Sequence, residues 1–186
     1  MTLAAYPHLR LRRTRASGWS RALYRESVLT PADLVWPLFV TGGTGVHEPV
    51  ASLPGVSRWS VDLVARRAKE AAALGIPAIA LFPHTDPAAR SDDGAEALNP
   101  NNLVRRAIQA VRDDCGDAIG IVTDVALDPY TSHGQDGLVD DGGYVVNDDT
   151  VAVLVDQALE LGVADEVVVP AGHLAWTGIA GGHGDR

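Results

Sequence analysis

The chain has 186 residues, of which 46% are hydrophobic and 21% charged, and its formal net charge is −9. This composition indicates one globular domain, or a part of a larger one, and excludes a disordered chain. No apolar run approaches the roughly 18–20 residues that cross a bilayer, so we expect no membrane partner. Cys115 is the single cysteine, which excludes an internal disulfide and a cysteine-rich zinc site. Without an apolar signal segment either, we expect a cytoplasmic protein.

Charge is divided unevenly along the chain. Six of the 15 Lys and Arg residues precede the first acid, Glu26, and the part of the chain from Glu26 onward has nine basic residues and all 24 acids. A basic arm at residues 1–30 could bind nucleic acid, or it could dock on the acidic body of a neighbouring subunit. We favour docking between subunits and expect no nucleic-acid partner. The arm carries apolar anchors such as Trp19 and Tyr24, and the body has no second basic patch.

Strand and helix patterns alternate after the arm. Short apolar runs predict four buried strands, at residues 34–40, 76–83, 118–127 and 164–170. Helical spacing predicts three helices: one between Ser60 as N-cap and Gly75 as stop, one at 101–116, and one at 150–162 capped by Asp148 or Asp149. The short run at residues 143–148 predicts a hairpin flap, and the glycine-rich composition of residues 171–186 predicts a flexible tail.

This alternation indicates parallel βαβ units and therefore an α/β fold. Four strands could build a flavodoxin-like or Rossmann sheet. They could also form the first half of a (β/α)8 barrel, which needs about 250 residues when complete. In each architecture, functional groups collect at the C-terminal edge of the sheet, so the loops that follow the strands are the places to search.

Two polar loops follow the first two predicted strands. The first, TGGTGVHEP at residues 41–49, has glycines that could cradle a phosphate, but it lacks the GK[ST] of a P-loop and the GxGxxG spacing. A flexible connection is the simpler interpretation, and His47 with Glu48 is weak evidence for a metal site. The second loop begins with His84 and Asp86, which are functional candidates or solvated side chains.

The third loop, DVALDPYTSHGQDG at residues 124–137, is the strongest candidate site. Asp124, Asp128 and Asp136 offer hard oxygen ligands, which suit Mg²⁺ and do not suit zinc. Asp124 lies within an apolar run, so burial could raise the pKa of its carboxyl and suit it to proton transfer. The alternative for the whole loop is a solvated acidic segment. The alternative for Asp124 is a buried aspartate that only forms a hydrogen bond with the end of a strand. These residues also leave open a small Mg²⁺-dependent hydrolase or phosphatase that uses Asp124 and Asp128.

Six segments together resemble the porphobilinogen synthase (5-aminolevulinate dehydratase) family. They occur in the family's order, cover about residues 6–170, and read RLRRTRASGWSRALYRES, LTPADLVWPLFVTGGTGVHEPVASLPGV, LGIPAIALFP, ALNPNNLVRRAI, TDVALDPYTSHGQDGLV and GYVVNDDTVAVLVDQAL. The resemblance implies the first half of a (β/α)8 TIM barrel at residues 31–170, preceded by an arm that wraps a neighbouring subunit of a homo-octamer. It also implies a lyase that condenses two molecules of 5-aminolevulinate into porphobilinogen, the pyrrole precursor of haem.

The resemblance extends to the candidate loop. Zinc-dependent members have cysteines at the positions of Ala126, Asp128 and Asp136, so this chain resembles the branch without catalytic zinc that responds to Mg²⁺ or a monovalent cation. Asp124 matches an aspartate of the family's active site.

The lysines depart from the family pattern. Family chemistry uses two lysines that form Schiff bases with the substrates, and both belong to strands beyond residue 186. The sequence has one lysine, Lys69, on a predicted helix beside Arg66 and Arg67. We therefore expect a polypeptide truncated after about residue 170 that is inactive alone, or a non-catalytic remnant that serves as an interaction surface. Residues 175–178 read in a shifted frame could encode the family's Met-Asp-Gly, which suggests a frameshift near Pro170.

Overall fold

The computed structural model describes residues 7–9 and 12–162, together with the backbone of residues 167–168. The chain divides into two compact units, Met1–Thr30 and Pro31–Arg186. The tail predicted at residues 171–186 lies outside the described residues, as does most of the fourth predicted strand. Within the described part, no helix is both long and apolar enough to cross a membrane.

The first unit contains a 3-10 turn, Arg13–Arg15, and a short helix α1, Gly18–Leu23. Ser20 is 3% exposed, and its hydroxyl donates to the carbonyls of Arg13 at 3.3 Å and Ser17 at 3.2 Å. These bonds hold the turn against the helix. The apolar side chains of this arm point outward instead, with exposures of 65% to 76% for Trp19, Leu23, Tyr24, Val28 and Leu29.

The second unit is an α/β structure around a mixed sheet. Its strands are β1 (Val35–Thr41), β2 (His47–Pro49), β3 (Ser57–Ser60), β4 (Ala78–Pro83), β5 (Gly120–Thr123) and β6 (Val167–Val168). Its helices are α2 (Val61–Ala73), α3 (Leu103–Cys115) and α4 (Asn147–Leu161). The strands lie in the order β2-β3-β1-β4-β5-β6; β2 pairs antiparallel with β3, and every other pairing is parallel.

One face of the sheet is covered by helices. Alternate strand residues enter this core because successive side chains of a strand point to opposite faces. The core residues of the strands are Leu38, Val40, Ile79, Leu81 and Ile121, each at most 2% exposed. Residues of all three helices α2, α3 and α4 belong to the same core. We call this side of the sheet the covered face.

The residues between these core positions form the opposite side of the sheet, which we call the open face. On β1 it carries Val35, Pro37 and Phe39, and Phe82 of β4 lies beside Phe39 in the parallel register. Val35 is 51% exposed and Phe82 36%. Large apolar side chains therefore meet solvent on this face over the described part of the chain.

The predicted helix boundaries are close to those observed for α2 and α3. Ser60 is the N-cap residue of α2, and its hydroxyl donates to the Asp62 carboxylate at 2.6 Å. Gly75 follows the helix with φ of +78°, a left-handed conformation that glycine adopts without a Cβ penalty. Asn102 caps α3 by accepting the Arg105 backbone N–H at 3.0 Å.

Three predictions need correction. Residues 41–49 were expected to be loop, but His47–Pro49 form β2, which pairs with β3, and both strands are too short for a clear alternation. The strand predicted at 118–127 ends at Thr123, and Val125 and Leu127 are buried as loop residues, so the apolar run reflected burial rather than strand pairing.

The third correction concerns α4, which begins at Asn147 after the N-cap residue Val146. Asp148 and Asp149, expected as caps, lie in the first turn, where acidic side chains are favoured by the helix dipole. The hairpin predicted before this helix is present in a short form: Val139 and Val145 form an antiparallel bridge, and the Val146 N–H donates to the Leu138 carbonyl at 2.8 Å.

Candidate active site

A cavity of about 200 Å³ opens where β1, β4 and β5 end, on the open face of the sheet. We call it the carboxylate cavity, and its lining includes Phe39, Phe82, Asp124, Ala126, Asp128 and Tyr130. The two phenylalanine rings are tilted by 41° with centroids 5.9 Å apart. The cavity therefore combines an aromatic wall from the strands with two carboxyl groups from the loop after β5.

The loop after β5 is shaped by its own polar side chains. Asp136 accepts the backbone N–H of Leu127 at 2.7 Å, which closes the loop on itself. Thr131 is fully buried and donates its hydroxyl to the Gln135 carbonyl at 2.8 Å. The amide of Gln157 on α4 donates to the Ala126 carbonyl at 3.1 Å and so ties the loop to the helix.

The structure thus brings two of the three predicted aspartates to one cavity. Asp124 and Asp128 line it, whereas Asp136 stands beside it with one oxygen engaged by the Leu127 amide. Loss of hydration raises the pKa of Asp124, and the charge of Asp136 raises it further. The pKa of Asp128 is also raised, first by desolvation and then by the charges of Asp136 and Asp124. Both carboxyls therefore hold protons more strongly than an ordinary aspartate does.

Tyr130 is 3% exposed, and burial strongly raises the pKa of its phenol, helped by the charges of Glu96, Asp128 and Asp124. The phenol stays neutral at any physiological pH. It offers the cavity a neutral wall beside two proton-binding carboxyls.

The residues of the loop suit a hard cation only in part. Carboxylates match Mg²⁺, which keeps several waters and takes one or two protein carboxylates. Among the residues described by the structure, no three His, Cys, Asp or Glu side chains form a group that could hold a metal ion. Asp124 and Asp128 could bind a hydrated cation, while Asp136 has one oxygen already engaged.

Lys69 lies away from the carboxylate cavity. It is on α2, which packs against the covered face of the sheet, and its ammonium pairs with Asp114 of α3 at 3.2 Å. Its side chain is 54% exposed. This is a solvated ion pair between two helices.

The other sequence candidates occupy different places. His84 and Asp86 line a second, larger cavity at the same edge of the sheet, together with Thr41, Thr85 and Arg106; we call it the arginine cavity. Burial lowers the pKa of His84, and the charge of Arg58 lowers it further.

The pair singled out in the first loop lies on the β2–β3 hairpin. His47 stacks on Trp59 with ring centroids 4.0 Å apart, and Glu48 pairs with Arg58 at 3.0 Å. Both side chains are thus engaged by the neighbouring strand.

Sequence reasoning missed Phe39 and Phe82 as cavity residues. The signal was present in the alternation of β1, where Phe39 falls in the same series as Val35 and Pro37. Alternation alone does not predict the strand register, which places Phe39 beside Phe82.

The family model described as delta-aminolevulinic acid dehydratase matches residues 8–174. A curated relative of that name from Bradyrhizobium diazoefficiens is 54% identical over 151 residues, which are 81% of this chain and 42% of the relative. The chloroplastic delta-aminolevulinic acid dehydratase 1 of Arabidopsis thaliana is 43% identical over 162 residues, 86% of this chain and 37% of that protein.

A solved structure gives the same result. Delta-aminolevulinic acid dehydratase (porphobilinogen synthase) from Toxoplasma gondii, crystallised with its reaction product porphobilinogen, aligns with a TM-score of 0.78 at 38% identity. The alignment covers 87% of this chain and 46% of that one, so the chain spans less than half the length of these relatives. The chain belongs to the delta-aminolevulinic acid dehydratase family, whose members are lyases.

Proposed function

We propose that the carboxylate cavity is one wall of a porphobilinogen synthase active site, where two molecules of 5-aminolevulinate condense into porphobilinogen. The observation that carries the proposal is the convergence of Asp124 and Asp128, both with raised pKa, on a cavity at the C-terminal edge of the sheet. The Toxoplasma gondii relative, crystallised with porphobilinogen, supports the choice of reaction.

The proposed setting is the first half of a (β/α)8 barrel. Strands β1, β4, β5 and β6 are neighbours in chain order, with no reversal of direction across the sheet. A doubly wound sheet reverses its strand order and carries helices on both faces. Here α2, α3 and α4 pack on one face, which is the arrangement of a barrel wall with the open face toward the barrel axis.

The two carboxyls have a clear task in such a reaction. Condensation of two amino ketones requires proton removal and proton return near an ammonium group. A carboxyl whose pKa is raised toward neutrality exchanges protons more readily than an ordinary aspartate, and its ionised form attracts the substrate ammonium. The proposal assigns this exchange to Asp124, with Asp128 beside it, and Phe39 and Phe82 form the apolar side of the cavity.

The Schiff-base chemistry of the family requires lysines that this sequence does not carry. Lys69, its one lysine, is exposed and paired with Asp114 away from the carboxylate cavity, so it does not take the place of those lysines. We therefore expect no porphobilinogen synthesis from the 186-residue chain alone. Borohydride reduction in the presence of 5-aminolevulinate, followed by mass spectrometry, should leave Lys69 unmodified; a stoichiometric adduct there would contradict this.

A chimera tests the proposal positively. The segment of the Bradyrhizobium diazoefficiens relative that matches this chain is replaced by residues 8–162 of this chain, and porphobilinogen is measured colorimetrically. We expect activity within about tenfold of the relative, because 54% identity keeps the core volume and pattern. A chimera that folds and assembles as the relative does, yet makes no porphobilinogen, would overturn the proposed function.

The cation is part of the proposal. Asp128 and Asp136 replace soft ligands with hard ones, so we propose Mg²⁺ or a monovalent cation and no catalytic zinc. In the chimera, a zinc-selective chelator should leave activity unchanged, whereas removal of divalent and monovalent cations should lower it. Loss of activity with the zinc chelator, restored by zinc alone, would reject this assignment.

A second candidate role is an interaction surface without catalysis, and the arm favours it. Its large apolar side chains, including Trp19 and Leu29, are exposed, and it carries a cluster of arginines opposite in sign to the acidic remainder. We propose that the arm docks on a second copy of the chain, as a homo-oligomer in the cytoplasm. Sedimentation of the full chain should show oligomers that disappear when residues 1–30 are deleted.

A further inference from the structure

We propose that Gln157 of α4 is a positioning residue of the carboxylate cavity: it fixes the peptide unit between Ala126 and Leu127 and thereby the relative placement of Asp124 and Asp128. The inference concerns the same site as the proposed function and rests on it. Gln157 is not among the residues that line the cavity. It acts through the backbone of the loop after β5, to which its side chain is hydrogen-bonded.

The peptide unit between Ala126 and Leu127 is held at both of its polar groups. The side-chain amide of Gln157 donates to the Ala126 carbonyl at 3.1 Å, and the Asp136 carboxylate accepts the Leu127 N–H at 2.7 Å. Because this carbonyl and this N–H belong to one planar unit, the two bonds together restrict its rotation. The unit lies between the two aspartates of the cavity in the chain, so its orientation affects the placement of both carboxyl groups.

The residues between the two aspartates are packed in the interior. Val125, Ala126 and Leu127 are 7%, 6% and 0% exposed, whereas Asp124 and Asp128 on either side are exposed and line the cavity. Protein interiors are close-packed and transmit displacements rather than absorb them. A rotation of the peptide unit would therefore move the carboxyl groups at both ends of this short segment.

Gln157 lies on the buried face of α4, where an apolar residue is expected. Thr150, Leu154, Gln157 and Leu161 recur at intervals of three or four residues and face the interior. Gln157 is 1% exposed, and its Oε1 has no hydrogen-bond partner within the described part of the chain. An unpaired buried oxygen is unfavourable, so the glutamine is not explained by core packing. Its bond to the Ala126 carbonyl explains it.

The other buried polar residue on this face of α4 has the same kind of partner. Thr150 Oγ1 accepts the backbone N–H of Leu138 at 2.9 Å. Leu138 directly follows the loop at residues 124–137, whereas Ala126 lies near its start. The helix therefore holds the loop at both ends. Support of this kind keeps reacting groups within the narrow tolerance that proton transfer requires.

Gln157→Met in the chimera tests the proposal. Methionine has a similar volume but cannot donate, so one unpaired buried oxygen, Gln157 Oε1, is exchanged for another, the Ala126 carbonyl, and the midpoint of urea unfolding should change little. We expect kcat for porphobilinogen formation to fall about tenfold or more while KM stays within about twofold, because the carboxyl groups are misplaced and the binding surfaces remain. Gln109→Met, on the exposed side of α3, is the matched control and should leave both constants unchanged.

Hydrogen–deuterium exchange measures the hold on the peptide unit without reference to catalysis. In the full chain and in the chimera, Gln157→Met should speed exchange severalfold in peptides that contain Leu127, and Gln109→Met should not. If the parent chimera makes no porphobilinogen, the proposed function fails, and the exchange rate still decides whether Gln157 fixes the peptide unit. Unchanged exchange at Leu127 would overturn the positioning role. An unchanged kcat in an active chimera would also overturn it, as would a loss of kcat that follows a matching loss of stability or that Gln109→Met shares.

Discussion

Ile79 and Phe82 lie three residues apart on β4 but on opposite faces of the sheet. Ile79 is fully buried against the helices, whereas Phe82 is 36% exposed and meets Phe39 beside the carboxylate cavity. The same strand thus supplies stability through one series of residues and site chemistry through the other. The comparison shows that the apolar character of a strand residue does not tell which of these two tasks it performs.

Truncation on the covered face should have the largest effect on stability. Ile79→Ala removes a fully buried side chain and leaves a cavity among close-packed neighbours, so we expect a loss of about 2–5 kcal/mol in urea unfolding. Phe82→Ala is the control on the open face, with an expected loss of about 1 kcal/mol from the tilted ring pair. Equal losses would mean that the open face is also packed in solution.

Next in size is the effect of a neutral amide on the carboxylate cavity. Asp124→Asn in the chimera should lower the rate of porphobilinogen formation about 100-fold, because the amide cannot exchange the proton. Asp156→Asn, on the exposed side of α4, is the matched control and should keep the activity. A chimera in which Asp124→Asn stays fully active would remove Asp124 from the mechanism.

A smaller loss of stability is expected at Gly137, where the loop after β5 approaches α4. A Cβ on Gly137 would lie 2.6 Å from Val145 Cγ1 and 3.1 Å from Thr150 Oγ1, so Gly137→Ala must displace one of them. We expect destabilisation of about 1–3 kcal/mol by thermal unfolding. At Gly42 an added Cβ meets no atom within 4 Å, so Gly42→Ala should be close to neutral. A neutral Gly137→Ala would show that the loop moves freely against α4.

The smallest effect concerns pH. The raised pKa of Asp128 means that the folded state binds its proton more strongly than the unfolded state does. This contribution to stability is present at acid pH and is lost as pH rises through the folded-state pKa. Asp128→Asn should therefore gain stability relative to the parent between about pH 4 and neutrality, by less than about 0.5 kcal/mol because the side chain is largely exposed and solvent screens the interaction. A relative loss of stability over that range would contradict the direction of the shift.

Local patterns predicted the elements whose signals depend on near neighbours in the chain. Ser60 and Gly75 bracket α2 because capping and left-handed turns are decided by a few adjacent backbone groups. The end of β5 could not be predicted in this way. Val125 and Leu127 are as apolar as strand residues, and only the packing of the loop shows that they are buried without a strand partner.

The sequence alone identified the loop at residues 124–137, the scarcity of lysine and the family. These three inferences depend on residue types and their order in the chain, so they can be made without knowledge of tertiary contacts. Only the tertiary structure shows that Asp124 and Asp128 line the carboxylate cavity whereas Asp136 closes the loop. Only the tertiary structure shows that Thr85 and Arg106 line the same second cavity. The physical reason is that strand register and helix packing bring distant residues together, and neither is encoded in the spacing of any single segment.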